Sequence, residues 1–201
     1  MSADATAKPP TLLGWVARDA LITIVAALLV AGLHAWHSTS PSWLSLVVVP
    51  SLAFIAAYAA CYAYHEWGHL LGARLSGGHM PLAPYAGALI GYFDIKQHDR
   101  RQFLYLSWGG VTGYLTVLAV AISVHLSGSW GLAGAGLAVG AFAFVVQSLA
   151  VDLPQIWKVL RGADIAETSA QGASARVILK RTWQTWIPLG IVLIGWNTLT
   201  A

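Results

Sequence analysis

Apolar residues in this chain fall in long unbroken blocks, without the spacing of an element that keeps one face in water. No Asp, Glu, Lys or Arg occurs from Ala20 to Tyr64, from Gln102 to Val151, or from Thr182 to the last residue. A helix crosses the hydrocarbon of a bilayer with about 20 mostly apolar residues, so each block holds one or two spans. Polar breakers divide the longer blocks: Ser38-Thr39-Ser40-Pro41 in the first and Ser127-Gly128-Ser129 in the second. Connections this short predict tight antiparallel hairpins. The pattern predicts helices over 12–36, 42–75, 103–126, 130–151 and 182–200. The expected fold is an all-α polytopic membrane protein of five transmembrane helices, a single membrane domain over residues 1–201.

Two connections are longer. Residues 76–101 open on Gly77-Gly78, carry Pro81 and Pro84, run through Ala86-Gly87-Ala88-Leu89-Ile90-Gly91-Tyr92-Phe93 and then turn polar. The segment is too short and glycine-rich to span, and it predicts a re-entrant hairpin between the second and third helices. Residues 153–181 read as a polar, partly helical connection. Only Lys8 and Arg18 precede or open the first apolar run, which therefore reads as a retained span and not a cleaved signal.

Composition sharpens this picture. Charged residues make up 9% of the chain and hydrophobic ones 57%, against roughly 25% charged in soluble domains; so few charges cannot cover a water-facing surface. The net charge of +3 is small and is explained by topology, with no call for a nucleic-acid partner. All 11 Lys and Arg lie in the N-terminal region and in the connections after the second and fourth helices. The other two connections have none. By the positive-inside rule the N-terminus is cytoplasmic and the C-terminus outside. Trp36, Trp43, Trp130 and Trp196 then fall near the outer interface, and Trp15, Trp108, Trp157, Trp183 and Trp186 near the inner one. The small size and simple topology suggest the inner membrane of a bacterium. The single cysteine, Cys61, excludes an internal disulfide framework and a multi-cysteine zinc site.

The chemistry concentrates in His65-Glu66-Trp67-Gly68-His69, at the end of the second helix. On a helix the i, i+4 spacing puts both imidazoles on one face, within reach of one zinc ion, with Glu66 beside them to take a proton from a metal-bound water. Zinc lowers the pKa of such a water to about 7, and the carboxylate serves first as general base and then as general acid toward the leaving amine. Such a motif also arises by chance on soluble helices. Here it follows a long apolar run, where ionisable residues are costly and mark function.

A catalytic zinc site takes a third protein ligand and leaves one position for water. Asp152, where the fourth helix emerges on the same side, has the better membrane depth. Asp164, in Gly162-Ala163-Asp164-Ile165-Ala166-Glu167, reaches the site only if its loop folds back, and Asp94 is a weaker candidate. Cys61 shares the histidine face and reads as a small buried residue. His34, His37 and His125 read as polar caps at the outer interface, and His79 and His98 carry no assigned role. The glycine pairs Gly109/Gly113 and Gly136/Gly140 permit close helix packing within the fold or between subunits.

The stretch His65-Glu66-Trp67-Gly68-His69-Leu70-Leu71-Gly72-Ala73-Arg74-Leu75-Ser76-Gly77-Gly78 resembles the first motif of the site-2 protease family of intramembrane zinc metallopeptidases. Ser107-Trp108-Gly109-Gly110-Val111-Thr112-Gly113-Tyr114 is similar to the small-residue start of that family's next span. The resemblance covers roughly residues 45–190. It is specific at the first motif and loose elsewhere: the family's second motif has as its nearest counterpart Gln147-Ser148-Leu149-Ala150-Val151-Asp152-Leu153-Pro154, without an Asp-Gly pair. The resemblance implies Zn²⁺ as cofactor, Glu66 as catalytic residue, and His65, His69 and one of Asp152 and Asp164 as metal ligands. It implies a transmembrane protein substrate cut within or near the lipid, its unwound backbone pairing with a strand edge at Gly87, Leu89 and Ile90. Two other classes compete: a non-proteolytic membrane scaffold or assembly subunit, in a complex or oligomer, and an ion transporter. No internal repeat supports the transporter.

Overall fold

The structure, a computed structural model, describes residues 10–85 and 89–172. The predicted helix 182–200 and Gly87 lie outside the described residues. The elements are α1 (Leu12–Thr39), α2 (Trp43–Leu75), a 3₁₀ turn (Ile95–Gln97), α3 (Arg100–Leu126), α4 (Gly131–Leu160) and the short α5 (Ile165–Gly172). The first four helices are each long and apolar enough to cross a membrane, and they make this an α-helical membrane protein.

Local chemistry sets the helix starts. Thr11 caps α1 by accepting from the Gly14 N–H at 3.1 Å. Ser42 and Ser45 form a reciprocal capping box at the start of α2, and Asp99 and Gln102 do the same for α3. The Asp99 cap explains why α3 begins at Arg100, ahead of the expected 103. At the other end of α1, Ser38 and Thr39 donate to the carbonyls of His34 and Ala35, which carries that helix past 36.

The expected end of the fourth helix is corrected. In place of a stop at 151, α4 runs through Pro154 to Leu160. A proline inside a helix removes one backbone bond and costs about 3 kcal/mol. Beyond it, Ile156 and Val159 are fully buried, and burying two such side chains returns roughly 1.5–3 kcal/mol each. Asp152 therefore sits inside a helix, not at the mouth of a loop.

The centre of the fold is the packing of α2, α3 and α4, and glycine lets their backbones meet. A Cβ on Gly68 would strike the Gly109 carbonyl, and one on Gly109 would strike that of Gly68. Gly136 and Gly140 of α4 lie in the same way against the carbonyls of Pro50 and Phe54 in α2. Both glycine pairs named from the sequence are used within the chain. The interior they enclose includes Cys61, Val111, Tyr114, Phe144, Val145 and Ile156.

α1 stands apart and is fastened at its ends. Val30 packs with Val49, Ala53 and Ala133, while Trp15 is fully buried with Leu70, Ala73, Met80, Ala83 and Ile90. Trp15 is thus a core residue, which a position near the first helix start did not suggest. The segment between α2 and α3 forms a small antiparallel hairpin, with Leu82 facing Gly91. Ala83 N–H donates to the Ile90 carbonyl and Tyr92 N–H to the Pro81 carbonyl, both at 3.0 Å.

Candidate functional site

The site lies where α2, α3 and the hairpin meet. The Nε2 atoms of His65 and His69 face each other at 2.9 Å, with ring centroids 4.2 Å apart. His69 Nδ1 stands 2.8 Å from the Leu106 carbonyl. That oxygen can only accept, so His69 carries its proton on Nδ1 and presents the Nε2 lone pair to His65. A backbone carbonyl that accepts from the far ring nitrogen and so fixes this tautomer is the usual support of a metal-binding histidine.

Gly110 makes room for the pair. A Cβ there would strike the imidazoles of both His65 and His69. On the other side, the His65 ring stacks on Tyr114 at 5.6 Å and 25° and meets Phe144 edge-on at 6.0 Å. Three helices therefore fix one imidazole.

Glu66 is buried, 7% exposed, and its Oε2 accepts from the Ile90 N–H at 3.3 Å. This bond follows from how the hairpin ends. In an antiparallel ladder the Ala83/Ile90 pair would exchange two bonds, and it makes one. The Ala83 carbonyl accepts instead from the Trp15 indole at 3.0 Å, and the Ile90 N–H is left for Glu66. Arg18 donates to the Tyr85 carbonyl at 2.8 Å and pairs with Asp19, which in turn accepts from the Trp67 indole at 2.7 Å. α1, the hairpin and the motif helix form one braced unit around the carboxylate.

A cavity of 560 Å³ opens between α1 and the α2/α3 face. Alanines from both sides line it, among them Ala26, Ala27, Ala56, Ala60 and Ala63. Its polar end holds Glu66, Arg18 and Asp19, and Trp130 lies at the far end.

The predicted carboxylates are placed unevenly. Asp164 is exposed and caps α5, its Oδ1 accepting from the Glu167 N–H at 2.9 Å. Asp94 is exposed and caps the 3₁₀ turn. Asp152 is half-buried, and its Oδ2 is enclosed without a hydrogen-bond partner. Among the described residues no three of His, Cys, Asp and Glu stand together as a metal-holding group. Cys61 is fully buried against the carbonyls of Tyr114 and Ala141. Leu89 is exposed and Ile90 buried beside Glu66. His98 accepts from the His79 N–H at 2.9 Å and holds the loop. His37 bonds Ser45, and the His34 ring lies against Trp130, at the opposite end of the bundle.

The two histidines suit a cation. Two nitrogens bound at about 2.0–2.1 Å in a tetrahedral site stand about 3.3 Å apart, a few tenths of an ångström more than the observed separation. His65 Nδ1 is enclosed without a hydrogen-bond partner, so this ring lacks the carbonyl support that Leu106 gives His69. Sequence reasoning passed over Tyr114, Asp19 and Trp15 as supports of the site; a hydroxyl in the middle of an apolar span was the available signal for the first. Comparison with protein-family models, curated proteins and solved structures found no match to this chain.

Proposed function

We infer that this protein is an intramembrane zinc metallopeptidase. The observation that carries the reading is the facing Nε2 pair of His65 and His69 with the buried Glu66 beside it. His65 and His69 hold the zinc, with Asp152 or Asp164 as third ligand. Bound zinc supplies a hydroxide nucleophile at neutral pH. Glu66 takes the proton of the attacking water and returns it to the leaving amine, and the Ile90 N–H steadies its carboxylate.

The alanine-lined cavity supports a transmembrane segment as substrate. Most of its lining is apolar and its charged residues, Glu66, Arg18 and Asp19, stand at one end, so an apolar chain lying in it would bring its backbone to the Glu66 carboxylate. The exposed Leu89 beside Ile90 offers that backbone a strand edge. The distribution of Lys and Arg supports a cytoplasmic N-terminus, an external C-terminus after a fifth span and a hairpin re-entering from the cytoplasmic side, and the small size and simple topology support the bacterial inner membrane as the site of action.

The test is Glu66→Gln against wild type on a membrane-helix substrate in detergent or bicelles. Loss of a general base lowers turnover by about 10²–10⁴-fold; equal product from both proteins would remove the protease reading. A second reading, a non-proteolytic membrane scaffold or assembly subunit, is favoured by the lack of a third ligand beside the pair among the described residues.

A further inference from the structure

Three buried side-chain polar atoms in the described residues have no hydrogen-bond partner: His65 Nδ1, the Tyr114 hydroxyl and Asp152 Oδ2. They come from α2, α3 and α4 and belong to one region of the core. Tyr114 is fully buried, stacks on His65, and has Asp152 within electrostatic reach of its hydroxyl. Along α4, Val145, Leu149 and Ile156 pack in the cluster that contains Tyr114. Steps of four, three and four residues from Val145 through Leu149 and Asp152 to Ile156 describe one helix face, so Asp152 shares the face turned to α2 and α3.

An unmet buried hydroxyl is destabilising, and a phenylalanine of the same shape would avoid that cost. A carboxylate enclosed beside it is more costly still. Both groups are accounted for if they act together on something the histidines also hold. A ligating carboxylate is ordinarily held by a hydrogen-bond donor of its own, and the Tyr114 phenol is an unpartnered donor in the same part of the core.

We propose that Tyr114 is a positioning residue whose hydroxyl donates to the Asp152 carboxylate and holds it as the third ligand of the zinc bound by His65 and His69. This rests on the metal reading above. It selects Asp152 over Asp164, whose carboxylate is already engaged in capping α5, and it gives α3 a part in the site beyond packing.

The experiment is zinc binding to the purified full-length protein, by chelator competition, for wild type, Tyr114→Phe, Asp152→Asn and the double variant. Thermal unfolding of the metal-free proteins is followed in parallel. Tyr114→Phe removes one unpartnered oxygen, so the metal-free protein should melt no lower than wild type while zinc affinity falls about 10–100-fold. Asp152→Asn should lower affinity at least as much, and the double variant should match Asp152→Asn alone, because the hydroxyl acts only through that carboxylate. Unchanged affinity in Tyr114→Phe, or equal and additive losses, would overturn the proposal and leave the metal site standing. Unchanged affinity in Asp152→Asn would overturn it in favour of another ligand. If wild type itself binds no zinc, the peptidase reading falls and the proposal with it. Should Tyr114→Phe melt lower without metal, the cobalt-loaded protein decides: the visible absorption of a tetrahedral site must change for the proposal to survive.

Discussion

At the scale of single residues, the site depends on what is missing as much as on what is present. Gly110 belongs to the candidate site by virtue of its empty side: a methyl group there meets the imidazoles of His65 and His69. Those atoms are the ends of side chains, so Gly110→Ala should leave the helices in place and push the rings apart. We expect zinc affinity to fall about 10–100-fold with unchanged helical circular dichroism; retention of wild-type affinity would show that the rings have room to spare. The motif itself was legible because a five-residue stretch on one helix carries both imidazoles and the carboxylate. The reason only one of the rings has a fixed proton was not legible, since the Leu106 carbonyl that fixes it comes from another helix.

At the scale of elements, the hairpin after α2 matters most. The sequence announced a glycine- and proline-rich segment with an apolar run. It did not announce that the Trp15 indole would divert the Ala83 carbonyl and leave the Ile90 N–H for Glu66. Replacing Ile90 by proline removes that donor. A hydrogen bond to a charged group contributes about 1.5–3 kcal/mol, so cleavage should drop by at least about tenfold while zinc content per chain stays at the wild-type level. Undiminished cleavage would mean that the carboxylate needs no support from the hairpin. The extension of α4 past Pro154 is another element-level result. The end of the apolar block at Val151 set the expected stop, and burial of Ile156 and Val159 carries the helix past it.

For the molecule as a whole, the asymmetry of Lys and Arg predicts the orientation. Cys61 is buried and should be inert to aqueous thiol reagents, so single cysteines introduced elsewhere report cleanly. A cysteine at Ser129 should be labelled by an impermeant maleimide from outside intact cells. One at Asp99 should react only after the membrane is opened, and the reverse pattern would invert the topology. α1 is a brace fastened at both ends with a cavity along its middle, an arrangement that makes it the element whose displacement would open the interior most readily.

The sequence by itself determined four apolar spans and the motif, because both are read along one chain: apolar block length sets a span, and i, i+4 spacing sets a shared face. Tertiary structure decided what those residues meet. The contacts of Glu66 with Ile90, Asp19 with Trp67, and His65 with Tyr114 join positions 24, 48 and 49 residues apart. The α2/α3 crossing that underlies the last of these exists because Gly68 and Gly109 let two backbones touch, a coincidence of surfaces that no local pattern encodes.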